Sequence, residues 1–538
     1  MQKVQQNSPL ETKLSVYSPR KAITITLVAA LGAGLVASLA SVFTMLILRV
    51  AAGIPSPVEL FGDHLLKLLP APRFVDMLVF FSPHSKTTPL GLAMLGMISL
   101  GTLLGLLYAA VVRIKLPASG YRLAMREWLT ALIFAVAMTA TATILFWVEI
   151  GQNFLGLPIG TAMLVTALGL LADFSIYALT LCLVFRILLP KQRVSGTATD
   201  RSERRQLLAR AGVVALGVGS AIGTVGLINK FLSNYTSYDG SETFTKNGFT
   251  APITPTSEHY TVTQNVVDPT VNVSIWQLAI TGLIAKSGTY TYEELKSLPS
   301  VSRAVTLECI ANGIGGHLIS TAIWQGVSLR MLVERHGGAL PGASYIAFYS
   351  VDGYSISLPL DEVLAVDPIL AWSMNGAELP VRHGYPLRAL IPGRFGEENP
   401  KWLTRVELTD HFVGGLYADQ GWYHGPLHTI ARIDRPSGHV PLNQRIEVGG
   451  IAFAGNRGIE KVEISVDGGI SWNNAELNPP LSQDSWVLWS WQWQPIQPGQ
   501  YTITARATDG TGQVQTSQKQ GTVPNGATGY HTILVQAG

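Results

Sequence analysis

Apolar residues along this chain fall into two regimes. Up to about residue 230 they form long runs with few charges; beyond it they alternate in short stretches broken by Gly and Pro. Five runs, at 22–48, 90–112, 129–148, 159–188 and 207–227, are long enough to cross a bilayer, which takes about 20 helical residues. A cleaved leader would account for only one short run, so the pattern predicts an all-α transmembrane bundle of five helices over 1–230. Residues 55–89 carry charges, prolines and short apolar patches, and read as an extramembrane or interfacial loop.

The polar stretch 231–258, rich in Ser, Thr, Gly and Asn without apolar period, reads as a linker. Over 259–426 short strands and helices mix irregularly, which predicts an α+β domain. Val273-Ser-Ile-Trp-Gln-Leu-Ala-Ile280 alternates like a strand. Thr291-Tyr-Glu-Glu294 is a capping box opening a short helix. Val305-Thr-Leu307 is a strand that ends at Cys309. Leu329, Leu332 and Val333 share a helix face, with Gly337 as its C-terminal stop. Over 427–538 the pattern is all strand. Val462, Ile464 and Val466 alternate before Asp467-Gly468-Gly469, Trp489, Trp491 and Trp493 share one face, and Tyr501, Ile503 and Ala505 alternate before Asp509-Gly510. Repeated short strands with turn signals predict an immunoglobulin-like β-sandwich.

Charge adds an orientation. Lys3, Lys13, Arg20 and Lys21 precede the first run. Arg113, Lys115, Arg122 and Arg126 follow the second, and Lys191, Arg193, Arg201, Arg204 and Arg205 follow the fourth. The other two connections lack such an excess: Lys67, Arg73 and Lys86 are balanced by Glu59, Asp63 and Asp76. The positive-inside rule then puts the N-terminus inside and the C-terminal half outside the cytoplasmic membrane. Ser202-Glu-Arg204-Arg205-Gln-Leu-Leu208 before the fifth run resembles a twin-arginine export signal set inside the chain, the alternative being a simple positive-inside flank. No histidine falls in any run, so an axial pair for a membrane haem is not expected there. Asp173, in the middle of the fourth run, either faces the bundle and bonds a Ser or Thr, or serves a proton or quinone path. Net charge is +3, with no basic stripe interleaved with aromatics, so nucleic acid is not an expected partner. The two cysteines, Cys182 and Cys309, lie in different regimes. Cys309 is thus a lone thiol, either an inert core residue or a reactive or metal-bound one.

Candidate chemistry centres on Thr306-Leu-Glu-Cys309-Ile-Ala-Asn312-Gly-Ile-Gly-Gly316, followed by Ala322-Ile-Trp324-Gln-Gly326. A thiol at a strand end precedes a glycine-rich turn where backbone can approach a bulky ligand and free N–H groups can face an anion. A soft thiolate suits a soft metal. The order of these residues resembles the molybdenum-cofactor domain of the sulfite oxidase family, from about Tyr260 to the C-terminus. The resemblance implies that Cys309 ligates molybdenum of a molybdenum–molybdopterin cofactor. Met374-Asn-Gly376 and His383-Gly-Tyr-Pro-Leu-Arg388 are similar to the pterin-binding run, with His383 and Arg388 as contacts. Ile391-Pro-Gly393 and Asn399-Pro-Lys401-Trp402-Leu403 are similar to the next cofactor loop. Asp352 fits a further cofactor position, and Tyr260-Thr261-Val-Thr263-Gln-Asn265 lies where the family has its first contacting loop. Asn312, in the turn after the cysteine, is a further cofactor contact that the resemblance implies. The C-terminal sandwich resembles the family's dimerisation domain, which implies a homodimer.

Departures from the family bear on the substrate. Sulfite-oxidising members place arginines where this chain has Thr263, Gly313 and Ile314, and a tyrosine where it has Trp422, with Tyr423 beside it. A small dianion needs fixed cations. The expected activity is therefore two-electron oxygen-atom transfer on an S-oxide or N-oxide, with Trp422 or Tyr423 shaping the pocket. Sulfite oxidation is the alternative, and a non-catalytic binding or adhesion protein on a redox fold a second one. The sequence carries no haem-attachment or iron–sulfur cysteine set, so a separate electron carrier is expected, either a soluble cytochrome or a membrane redox protein. The orientation is checked with a reporter fused after Gly538 that works only outside the cytoplasm. It should be active, and Arg204→Lys with Arg205→Lys should impair export; activity of a cytoplasm-only reporter at that site would reverse the topology.

Overall fold

The computed structural model describes residues 18–70, 73, 76–77, 80, 87–114, 116, 118, 121–191, 199–232, 248–265 and 268–538. Lys3, Lys13, His84, Lys86, Lys115 and Arg193, and linker residues 233–247, lie outside them. Five helices are long and apolar enough to cross a membrane: Pro19–Ala52, Thr88–Val112, Met125–Leu145, Ile159–Leu188 and Arg204–Lys230. They match the five runs expected from the sequence. The first helix packs against the second through small residues. A side chain at Gly34 would meet the Thr102 carbonyl, and one at Gly105 the Ala30 carbonyl, so the backbones approach closely. Asp173 faces the bundle, where both its oxygens accept from Ser41 Oγ at 3.0 Å. This is the first of the two roles expected for it. Glu127 and Arg186 form a second buried pair, 3.5 Å apart.

Within the 55–89 segment the structure places a helix, Pro57–Lys67. Glu59 near its start accepts from Arg49 Nε at 3.0 Å and from the Ser56 amide at 2.8 Å, so one carboxylate joins the end of the first long apolar helix to this helix. The short charged sequence hid the helix, because its apolar positions span only two or three turns.

After residue 248 the chain builds one mixed and one antiparallel sheet with short helices. One runs in the order Gly288–Tyr290, Leu278–Gly282, Leu403–Thr409, Tyr345–Ser350, Ser355–Pro359, with Leu278–Gly282 parallel to Leu403–Thr409. The other runs Val301–Glu308, Ile319–Ser328, Ile369–Met374, Ala377–Glu378, with Arg388–Leu390 also pairing with Ile369–Met374. The capping box closes as expected, Thr291 Oγ1 accepting from the Glu294 amide. Leu329, Leu332 and Val333 are buried on one face of Leu329–Arg335, and Gly337 beyond it has φ +86°. The strand expected from Val273 begins instead at Leu278. Asn272 explains the delay: its Oδ1 accepts from the Ser274 amide and hydroxyl, and its carbonyl from the amides of Ile275 and Trp276, which makes 272–276 a turn. Trp276 then plugs the core, with Nε1 donating to the Leu403 carbonyl at 2.8 Å.

The C-terminal part has two antiparallel-rich sheets. One contains Ile430–Arg435, Ile446–Phe453, Val487–Trp493 and Glu476–Leu477; the other His439–Val440, His531–Ala537, Gly499–Asp509, Ile459–Ser465 and Asn473–Asn474. A shared core joins them: Val448, Trp489 and Trp493 from the first meet Val462, Ile464, Ile503 and Val535 from the second. The tryptophan stripe is thus core.

Asp509 pins a turn in this part. It accepts from Arg457 Nε at 2.7 Å and from the Thr511 amide and hydroxyl. Burial works to raise its pKa, but the hydrogen bonds from Thr511 and Arg457 outweigh burial and hold it at about 2. A folded value below the unfolded value of about 3.9 stabilises the fold above that unfolded value, and the contribution is lost as the pH falls through the folded one. Asp509→Asn should therefore lower the melting temperature near neutral pH and converge on the parent in acid. Melts recorded across that range check it; a constant gap at every pH would refute the assignment.

Candidate functional site

Cys309 follows the last residue of strand Val301–Glu308, and its amide donates to Leu318 at 2.9 Å. The turn after it is closed by Asn312. Its amide donates to the Cys309 carbonyl at 2.8 Å, its Nδ2 donates to Glu308 Oε1 at 2.9 Å, and its Oδ1 accepts from the Leu318 amide at 2.9 Å. The C-terminal sheets hold the turn from the far side. Arg432 Nη1 donates to the Gly316 carbonyl at 3.0 Å, and Gly315, at φ +77°, lies where a side chain would run into His531.

Cys309 opens on a cleft of about 820 Å³ counted out to its mouth. Of the residues expected from the sequence, Cys309, Tyr260, Thr261, Thr263, Asp352, Arg388, Asn399, Lys401 and Trp422 line it. Four do not. Asn265 stands behind the wall and donates to Asp352 Oδ2 at 2.7 Å. Asn312 shapes the Cys309 turn. His383 lies behind the wall with its ring centroid 5.2 Å from that of His259. Tyr423 points away, its hydroxyl donating to the Pro426 carbonyl at 3.2 Å and its ring against Phe395 and His428. Its amide is tied to Pro524, which turns the side chain from the cleft. Of the two aromatics expected to shape the pocket, only Trp422 does so.

Each wall has a local cause. Asn399 Oδ1 accepts from the Ile391 amide at 2.6 Å and its Nδ2 donates to the Phe395 carbonyl at 2.7 Å, which folds 391–399 back on itself. Arg388 donates to the carbonyls of His383 and Asn399, at 3.0 and 3.2 Å. Lys401 Nζ donates to the Arg382 carbonyl at 3.0 Å. Trp422 stacks on Tyr417, ring centroids 4.4 Å apart, and both pack with Ile310 next to Cys309. The sequence reading missed His259, Arg382, Glu397 and Tyr417, all of which line the cleft, as do Gln264, Tyr354 and Trp402, which belong to or adjoin its motifs but were not singled out. His259 is adjacent to the recognised Tyr260 and Trp402 to Lys401; nothing in the pattern marked Tyr417 or Glu397.

Burial dominates the electrostatics. It pushes the Cys309 thiol up to about 12, with the Glu397 carboxyl adding to the shift. A metal would be needed to hold that sulfur as thiolate. Burial lowers His259 to about 3 and, with His259 as neighbour, His383 to about 2, so both imidazoles are neutral. Burial lowers Arg388 to about 10, still well inside its charged range at neutral pH. Burial and the neighbouring Glu398 raise Glu397, and burial raises Asp352.

The walls suit a phosphate-bearing, nitrogen-rich ligand. The cleft has the cations Arg388, Lys401 and Arg382, and its buried polar atoms without a hydrogen-bond partner include Arg388 Nε, His259 Nε2, Gln264 Oε1 and both carboxyl oxygens of Glu397. Thr263, uncharged, accepts from the Asn265 amide at 3.3 Å. Gly313 and Ile314 line a separate small cavity with Arg432. Arg394 is engaged by Glu362 and Glu398.

Residues 265–417 match the family model described as oxidoreductase molybdopterin binding domain, and 426–537 that described as Mo-co oxidoreductase dimerisation domain. The chain is similar to sulfite oxidase of Gallus gallus, 29% identical over 301 residues that cover 46% of this chain and 64% of that protein. It is also similar to inducible nitrate reductase [NADH] 1 of Glycine max, 27% identical over 44% of this chain and 34% of that protein. The chain thus spans about a third of that nitrate reductase. Among solved structures, the sulfane dehydrogenase SoxCD from Paracoccus pantotrophus aligns at a TM-score of 0.48 and 22% identity, over 56% of this chain and 88% of that one.

The side-chain hydrogen bonds of Asn399, to the Ile391 amide and the Arg394 and Phe395 carbonyls, carry the cleft loop. Asn399→Ala would leave the Ile391 amide buried and unpaired, while the Phe395 carbonyl keeps the Glu398 amide, at a cost of about 1–3 kcal/mol. Urea unfolding of the full chain in detergent measures this; a loss below a few tenths would show that the loop holds itself.

Proposed function

We propose, from the premise that the chain belongs to the sulfite oxidase family of molybdenum-cofactor-dependent oxidoreductases, that it transfers an oxygen atom to or from an S-oxide or N-oxide in the cleft beside Cys309. When bound, the molybdenum–molybdopterin cofactor supplies the two-electron oxygen-atom exchange. Cys309 would hold the metal through its thiolate. Arg388, Lys401 and Asp352 would hold the pterin and its phosphate from the cleft walls, with His383, Asn265 and Asn312 setting those walls from behind. Tyr260, Thr261, Thr263 and Asn399 complete the enclosure.

The observation that carries the substrate reading is the wall next to Cys309. It is Tyr417 packed against Trp422, and the charged neighbours acting on Cys309 are the carboxyls of Glu397 and Glu308. A neutral oxide can pack its apolar body on the two rings. A dianion entering there must shed water without a cation to receive it, which is costly. Sulfite oxidation is the second reading, and the similarity to a sulfite oxidase favours it.

The remaining parts fit the same reading. The division at 230, 258 and 426 separates anchor, linker, catalytic domain and C-terminal domain. The C-terminal sheets are taken as an immunoglobulin-like sandwich joining two copies. The five apolar helices tether the catalytic domain to the extracytoplasmic face of the cell membrane, where a separate carrier exchanges electrons with it.

Catalytic efficiency for sulfoxide and N-oxide reduction with a reduced dye is to be compared with sulfite oxidation by an artificial acceptor, with Cys309→Ser as the inactive control. Reduction should win. Sulfite turnover above about 10⁴ M⁻¹s⁻¹, within the usual enzyme range, would replace the first reading by the second.

A further inference from the structure

The anchor and the catalytic domain meet along a defined seam. The Asn153 amide donates to the Val351 carbonyl at 3.3 Å, and the Asn272 amide to the Leu155 carbonyl at 2.9 Å. Gly156, at φ +87°, leaves room for Val271 and Trp276. A second, smaller cavity lies in this seam beside the cofactor cleft. Its polar walls are Asp63 from helix Pro57–Lys67, Gln152 from the loop after the turn Glu149–Gly151, and Gln264 and Asp352 from the catalytic domain. Gln264 and Asp352 also line the cleft, so the two cavities share a wall.

The composition of this cavity is one-sided. It has two carboxylates and two amides, and no Lys, Arg or His lines it. Arg49 and Lys401 act on Asp63 and Asp352 electrostatically from outside. Gln152 is only 5% exposed, yet its Oε1 has no hydrogen-bond partner; neither has Oε1 of Gln264. Gln152 reaches this place because residue 353 is glycine at φ +77°, where any side chain would fall on the Gln152 amide. Two buried amide oxygens left unpaired beside two carboxylates form an incomplete set of hard oxygen donors.

We propose that the seam binds a hard divalent cation of the Ca²⁺ type, which ties the membrane anchor to the wall of the cofactor cleft. Ca²⁺ takes Asp carboxylates and amide carbonyls in a flexible shell that water completes, whereas Mg²⁺ demands a stricter geometry. Among the described residues no group of three or more His, Cys, Asp or Glu is placed for a metal. This site differs in kind, being half amide and drawn from both sides of the seam. The inference does not depend on which substrate the cleft takes.

The test uses the full chain in detergent, treated with a chelator and then titrated with CaCl₂. Equilibrium dialysis with radioactive calcium should give about one ion per chain, and the melting temperature should rise saturably with it. Asp63→Asn, nearly isosteric, and Gln152→Leu should each weaken binding by about ten-fold or more, since affinity follows ligand charge and number. Asp361→Asn, which removes an exposed carboxylate elsewhere, should not. No saturable calcium binding by the parent protein, or binding unchanged in both seam variants, would overturn the proposal.

Discussion

The closure of the turn after Cys309 by Asn312 is the constraint on which the cleft rests. One amide side chain satisfies the Leu318 amide and Glu308 together, and so fixes where a strand ends and a thiol begins. The cleft walls come from distant parts of the chain: the 259–264 segment, the turn at Asp352, the fold-back 391–399 and the Tyr417–Trp422 stack. None of these is close in sequence to another, and they meet because the sheets behind them share one core around Trp276, Phe348 and Trp402. The C-terminal sheets belong to the same construction, since Arg432 and His531 press on the turn that Asn312 closes.

Features that depend on spacing alone were legible in the sequence. The five apolar runs, the capping box at Thr291 and the buried face of Leu329–Arg335 are properties of near neighbours, and the structure has them. The residues grouped through family motifs largely converge on the cleft, because such motifs preserve the order in which the loops arrive. Other features needed knowledge of tertiary contacts. The side chain of Asn272 turned an apparent strand into a turn. A backbone bond to Pro524 carried Tyr423 away from the pocket its neighbour lines. Glu397 and Tyr417 look like ordinary surface residues in sequence, and only the fold-back and the short helix Leu416–Asp419 bring them to the cleft.

The distribution of charge within the cleft separates two tasks. Arg388 is buried against Trp324, with its guanidinium carbon 5.1 Å from the ring centroid, and is fixed by two carbonyls. A cation so held is preorganised for a large anionic ligand and cannot follow a small one. Arg394, the cation that could have served a small anion, is spent on Glu362 and Glu398. On the proposed reading, holding a cofactor and admitting a substrate fall to different walls.

The loop through Asn153, Leu155 and Gly156 meets the later part of the chain through two backbone hydrogen bonds and the close approach of Gly156 to Val271 and Trp276. The two sides belong to one chain, and a covalent tether raises their effective concentration to the millimolar range for a short flexible connection. A modest seam is then mostly closed while still able to open and reclose. The cleft wall at Asp352 therefore shares the fate of a reversible intramolecular association, and cutting the chain between anchor and domain would turn a concentration-independent property of the enzyme into one that falls with dilution.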